Sequence, residues 1–155
     1  MTIQSFLTDL CEHCGMDTSH IAISVDESDD AVAVQLDIPE SDSGLFIGYH
    51  GESLDSLQRL LRIIFQESLP DKKLRLNVNQ YRDQREEKLR AMAQHGAEKV
   101  LETGTPYTFS LYIPSHERFV IHSELSGNPD FSDLESISDG EGKERRLTIR
   151  FKQGK

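Results

Sequence analysis

Apolar residues recur along this chain in two rhythms, and the alternation between them lays out the expected elements. Ile3, Phe6, Leu7 and Leu10 repeat at helical spacing, and Gly15 offers a stop, which predicts a short amphipathic helix. Ile21, Ile23 and Val25 then alternate with polar residues, as do Val32, Val34, Leu36 and Ile38. Between them Asp26-Glu27-Ser28-Asp29-Asp30 is rich in turn formers, so two strands joined by a polar loop are expected. Beyond Pro39, residues 41–47 suit a short helix interrupted at Gly48. Leu54, Leu57, Leu60, Leu61, Ile64 and Phe65 give a strong helical stripe, with Gln58, Arg59, Arg62 and Gln66 on other faces and Pro70 ending the run. Leu74, Leu76 and Val78 alternate as a third strand.

The second half opens with another helix, because Leu89, Met92, Ala93, Gly96, Ala97, Val100 and Leu101 share one face, with Gly104 and Pro106 just beyond. Phe109, Leu111 and Ile113 alternate as a strand. Pro114 and Ser115 suit a helix entry, followed by Phe119, Val120, Ile121 and Leu125. Residues 127–132 read as loop, Leu134 and Ile137 as a weaker strand, and Leu147, Ile149 and Phe151 as the last one, with Gly140-Glu141-Gly142 as the turn between them. The fold class is therefore α+β. Two small units are expected, residues 1–78 and 79–155, divided near Asn79.

Composition narrows the classes. The apolar fraction of 36% is too high for a disordered chain. No stretch approaches the roughly 18 apolar residues of a membrane span, and residues 1–10 lack the basic and apolar regions of an export signal. A cytoplasmic protein is expected. Cys11 and Cys14 form a C-x-x-C pair that His13 and His20 could complete as a zinc site in principle; the simpler reading is two half-buried thiols near the start of a helix. No cofactor or metal is expected. The net charge of −10 is unevenly spread. Five basic and fourteen acidic residues precede Asn79, whereas twelve basic and thirteen acidic residues follow from it. Phosphate binding would have to rest on local geometry more than on a global field.

One local geometry stands out. Gly48-Tyr49-His50-Gly51 lies between the short helix and the strong one. Two glycines allow a sharp turn and a close approach of a phosphodiester to the backbone, and the following helix offers unpaired N–H groups and the positive end of its dipole. The run Leu45-Phe46-Ile47-Gly48-Tyr49-His50-Gly51-Glu52-Ser53-Leu54-Asp55-Ser56-Leu57-Gln58 resembles the I-G-x-x-G-x-x-L-x-x-L-Q motif of bacterial KH domains, and the leading helix and strand match their type II arrangement. The resemblance implies an α-β-β-α-α-β unit with a three-stranded sheet and helices on one face, clamping about four nucleotides of single-stranded RNA or DNA at the loop. Ile47 and Leu54 would line the apolar groove, or belong to the core. Relatives often carry basic residues where this chain has Tyr49 and His50. Tyr49 offers a stacking surface and His50 a hydrogen bond to phosphate, neither with a permanent positive charge.

In the second half, Glu117-Arg118-Phe119-Val120-Ile121-His122 sets Arg118 and His122 four residues apart, on one helical face. An arginine can grip phosphate with two parallel bonds and a histidine adds a switchable donor. With Ser138-Asp139-Gly140-Glu141-Gly142-Lys143-Glu144-Arg145-Arg146-Leu147, this resembles the ER-x-x-x-H and S-x-GEG-x-x-RR motifs of the Arg-x3-His ("R-three-H") domain, a small α+β single-strand binder. A KH unit followed directly by an R-three-H unit resembles the Jag family, also called KhpB or EloR, and the likeness runs from about Ile3 to Phe151. Tyr81-Arg82-Asp83-Gln84-Arg85 is similar to the family's linking helix, whereas the N-terminal Jag domain that many members carry is not in this sequence. The resemblance implies RNA binding, post-transcriptional control linked to cell elongation and division, and pairing with a small single-KH protein or a second copy. It assigns Arg118 and His122 as the ligand pair with Arg145 and Arg146 in support, although Glu117, Glu141 and Glu144 are near enough in sequence to hold them in salt bridges.

Two other classes compete. The acidic first half suits a protein-interaction or dimerisation module with a basic partner. An enzyme is disfavoured: His50, His116 and His122 are present, yet no triad, metal spacing or P-loop accompanies them.

Overall fold

The computed structural model of the chain describes residues 1–154 and divides into two compact units, Met1–Arg82 and the chain from Asp83 onward. The first unit runs α1 (Ile3–His13), β1 (Ala22–Glu27), β2 (Ala31–Asp37), α2 (Glu40–Ile47), α3 (Glu52–Ile64) and β3 (Lys73–Val78). A capping box starts α1: the Ser5 N–H donates to Thr2 Oγ1 at 3.1 Å and the Thr2 N–H to Ser5 Oγ at 3.0 Å. Ile3, Leu7 and Cys11, one turn apart, are its buried face.

The sheet order is β1-β2-β3, with β1 antiparallel to β2 and β3 parallel to it. A parallel neighbour requires a crossover, and α2 and α3 supply it. Val32, Val34 and Leu36 of β2 and Leu74, Leu76 and Val78 of β3 point to one face, where Leu7, Phe46, Leu54 and Leu61 complete a core. The residues between them face away, so the helices cover one face, as the KH resemblance implies.

The free edge of β3 is closed by side chains. Gln58 Oε1 accepts from the Leu76 N–H at 2.8 Å, Arg62 donates to the Leu74 carbonyl at 2.9 and 3.2 Å, and Arg82 Nε donates to the Leu76 carbonyl at 2.9 Å. Periodicity set Gln58 and Arg62 off the apolar stripe and could give them no partner; the unpaired strand edge is that partner. Asn79 adds a further rung, its amide accepting from Ile38 N–H and donating to Ile38 O, both at 2.9 Å.

The second unit contains most of α4 (Tyr81–Thr103), then β4 (Tyr107–Thr108), α5 (Ser115–Gly127), β5 (Leu134–Asp139) and β6 (Arg146–Phe151). Its antiparallel sheet has the order β4-β6-β5. Helix α4 begins eight residues before the apolar stripe because, after Tyr81, which packs on the first core, its first two turns are polar. Gly96 lets it lie close to the sheet: a Cβ there would stand 2.9 Å from Ile149 Cδ1 and 3.0 Å from the Tyr107 ring.

Two expectations are corrected. The strand read from Phe109, Leu111 and Ile113 is only the two-residue β4 at Tyr107–Thr108. Phe109 donates one further bond to the Leu147 carbonyl at 2.9 Å, after which the chain leaves the sheet with Leu111 exposed. Phe109 and Ile113 are buried from an irregular segment, so their alternation records two anchors and not a ladder. The cysteines lie at the end of α1 and not near its start: Cys11 is buried and Cys14, the C-cap residue, is exposed. Burial pushes the Cys11 thiol up, and the neighbouring Cys14 adds to the effect. Among the described residues no cluster of three metal-ligating side chains occurs, and no helix is long and apolar enough to cross a membrane.

Candidate nucleic-acid interface

In the first unit, α2 stops at Ile47 because Gly48 takes φ 71° and ψ −174°, a region open in practice only to glycine. A Cβ there would fall 2.3 Å from Ser53 Oγ and 2.8 Å from the Ser53 nitrogen. Gly51 follows at φ 83°, where a Cβ would meet the Tyr81 ring at 3.2 Å. Between them His50 is held in the left-handed region at φ 52°. The loop thus folds back onto the first turn of α3, whose leading N–H groups receive no side-chain cap.

Tyr49 is 62% exposed, and its ring meets that of His50 edge to face with centroids 4.1 Å apart. Ile47 is half-buried against the core. Leu54 is fully buried, so of the two assignments open to it the core is correct and the groove is not. Leu45, by contrast, is exposed, which periodicity did not single out. The local charge is modest. Glu52 is exposed at the start of α3, while Asp55 is paired with Arg82 Nη2 at 2.8 Å.

The second unit builds its site from side chains. Glu117, 1% exposed, takes a two-pronged ion pair from Arg85, with Nε to Oε1 at 2.7 Å and Nη2 to Oε2 at 2.8 Å. The Glu117 carboxylate is therefore engaged by Arg85, thirty-two residues earlier on α4, and Arg118 makes a different contact. Arg118 is half-buried and donates from Nη1 to the Ile113 carbonyl at 2.7 Å. One turn on, His122 is exposed, with Nδ1 2.9 Å from Ser136 Oγ on β5. Arg118 and His122 share α5, as their spacing predicts.

Arg145 and Arg146 lead into β6 but are placed differently. Arg146 Nη1 donates to the carbonyls of Lys143 at 2.7 Å and Arg145 at 3.1 Å, which ties down the turn. Arg145 is half-buried, and its Nε, out of reach of water, has no hydrogen-bond partner within the protein. A buried donor left unsatisfied is costly, and burial that excludes water also keeps an external acceptor from this nitrogen, so any phosphate contact of Arg145 falls to the rest of its guanidinium. Sequence reasoning missed the part of Arg85. Its only signal was membership of the Tyr81–Arg85 run.

A KH-domain model of the KhpA/KhpB type matches residues 4–78, and an R-three-H-domain model matches residues 87–151. The chain belongs to the KhpB family, in which a KH domain is joined to an R-three-H domain. It is 30% identical over 134 residues to the RNA-binding protein KhpB of Clostridium symbiosum, across 86% of this chain and 59% of that protein. To the KhpB of Bacillus subtilis it is 31% identical over 121 residues, 77% of this chain and 57% of that one. To the KhpB of Lactiplantibacillus plantarum it is 29% identical over 119 residues, 76% and 36% respectively. The chain thus spans little more than half, or less, of the length of these KhpB relatives. Within this KhpB-family chain the matched KH residues contain the Gly48–Gly51 loop, and the matched R-three-H residues contain Arg118, His122, Arg145 and Arg146.

Proposed function

We infer that this chain is an RNA-binding, non-enzymatic protein that holds single-stranded RNA at two sites. Residues 1–78 contribute the loop Ile47, Gly48, Tyr49, His50 and Gly51, and residues 79–155 contribute Arg118, His122, Arg145 and Arg146. The Gly48–Gly51 loop carries the reading. Two glycines at positive φ, one with no room for a Cβ, set an exposed aromatic beside an uncapped helix start, which suits a phosphodiester with its base stacked on Tyr49. The names of the relatives support RNA as the ligand. Each site contributes modestly, and their covalent connection raises the effective concentration of the second once the first is bound. In the cell we place this activity in the cytoplasm, in post-transcriptional control of elongation and division.

The test is binding of short single-stranded RNA across a salt series. Each phosphate contact contributes about −0.7 to the log–log slope, so a set of contacts gives a clearly negative slope. A chain that shows no RNA binding at low salt refutes the reading. The loop is best probed by Tyr49→Asp with His50→Asp, which adds repelling carboxylates without disturbing either glycine.

A second reading rests on its own observation. Leu60 and Ile63, 46% and 57% exposed, lie three residues apart on α3. They offer a pairing surface for a small single-KH protein or a second copy of the chain. Light scattering of the wild type and of Ile63→Asp tests this; a monomer at all concentrations that also ignores a single-KH partner rules it out.

A further inference from the structure

Helix α5 is amphipathic in the ordinary sense except at one place. Glu117, Ile121 and Leu125 are its buried residues, yet Phe119 is 69% exposed. Among the described residues it is the one large apolar side chain of α5 left exposed. We propose that Phe119 is a stacking platform for an unpaired nucleobase, placed beside the Arg118 and His122 phosphate contacts; this rests on the RNA-binding reading above and adds a base contact to it.

Three observations carry the proposal. Helical spacing puts His122 three residues after Phe119, on the adjoining strip of the same helix, and His116 three residues before it. A phosphate held at Arg118 or His122 therefore leaves its base within reach of the phenyl face. Second, the ring borders an open groove of about 290 Å³ lined by Glu86 and Arg90 of α4 and Val120, Ser123 and Glu124 of α5. Its two carboxylates are already engaged. Glu86 is bonded to Arg90, and Glu124 accepts from Gln94 Nε2 at 2.9 Å with Arg90 Nε 4.0 Å away. The acidity on that side is therefore partly cancelled. Third, the apolar surface on offer is one ring. A stable protein interface buries on the order of 800 Å² per partner around a cluster of anchors, whereas a single base needs only one aromatic face. Phenylalanine also has no polar group of its own to explain its position in water.

The experiment exploits the absence of tryptophan from the sequence. In the full chain carrying Phe119→Trp, the indole is the sole tryptophan reporter. Titration with a short single-stranded RNA of mixed sequence should quench its emission to saturation at the affinity measured independently for the wild type. Phe119→Ala should weaken binding about tenfold and leave the salt slope unchanged, because stacking releases no counterions. Arg118→Ala should instead flatten the slope by about 0.7. Thermal melts of both Phe119 variants should match the wild type, since the ring packs against little. RNA binding with unaltered tryptophan emission and full affinity in Phe119→Ala overturns the stacking role alone. A wild-type chain that binds no RNA overturns the underlying reading and this role with it. Unaltered RNA affinity in Phe119→Ala together with a changed oligomeric state overturns the role in favour of a protein contact.

Discussion

The two sites we propose would reach a comparable chemical purpose by opposite means. In the first, the proposed recognition is written in the backbone: Gly48 adopts a conformation closed to other residues, Gly51 one that disfavours them, and the helix start they expose has no side-chain cap. In the second, the proposed recognition is written in side chains braced by other polar groups, Arg118 on the Ile113 carbonyl and His122 on Ser136, with Glu117 locked by Arg85. A backbone site tolerates a change of side chain and fails on gaining a single carbon. A braced side-chain site tolerates carbons and fails on losing a partner. The charge asymmetry fits the contrast, since the acidic half holds the proposed site that would use backbone N–H groups and the half with twelve basic residues holds Arg118, Arg145 and Arg146.

The comparison is broken most readily at Glu117. Truncation to alanine leaves Arg85 without its carboxylate in a largely buried setting, and we expect a loss of about 3 kcal/mol in urea denaturation. A loss under about 1 kcal/mol, the range of an exposed pair, would show that the brace is not structural. Gly48→Ala comes next. The backbone region it occupies costs other residues about 1–3 kcal/mol, before any clash with Ser53. We expect a destabilised first unit and lost loop binding, read by the melt and by RNA titration. Wild-type behaviour in both would mean the loop is not backbone-determined.

A smaller effect sharpens the contrast within the second unit. Arg145→Ala should leave the melt unchanged or slightly improved, by removing an unsatisfied buried donor, and should lower RNA affinity. Arg146→Ala should destabilise the turn by about 1 kcal/mol through two lost carbonyl contacts. If the two variants exchange behaviours, the roles assigned to them are reversed. Smallest is a reactivity difference at α1. Cys14 should react with a thiol reagent in the native protein, and Cys11 only on unfolding. Equal native rates would place Cys11 outside the core.

Much of the fold was legible because its elements are long and strictly periodic. The stripe from Leu54 to Phe65 and the alternations at 32–38 and 147–151 could satisfy only one kind of element each. Where the reading failed, two spacings coincided. Phe109, Leu111 and Ile113 alternate like a strand, yet only Phe109 and Ile113 are anchors, and nothing local distinguishes an anchored loop from a ladder. The loop of the candidate site was visible through its glycines, since positive φ leaves a mark on residue type. The bracing of the other site was not. Arg85 and Glu117 are separated by thirty-two residues, and a charge pair at that range has no sequence period. Phe119 was likewise counted among apolar helix residues, because composition cannot tell an inward phenyl from an outward one.

The closed edge of β3 has a consequence for how this protein behaves when crowded. With Gln58, Arg62 and Arg82 occupying its carbonyls and an N–H, only the β1 side of the first sheet, where strand Ala22–Glu27 pairs with β2 alone, is open to another strand. Propagation into a fibre requires every added unit to present a fresh edge, and a sheet with one open side can pair once and then stops. At high concentration this sheet should terminate its own growth at a pair, and Gln58→Ala combined with Arg62→Ala and Arg82→Ala, by reopening the far edge, should turn a self-limiting association into an open-ended one.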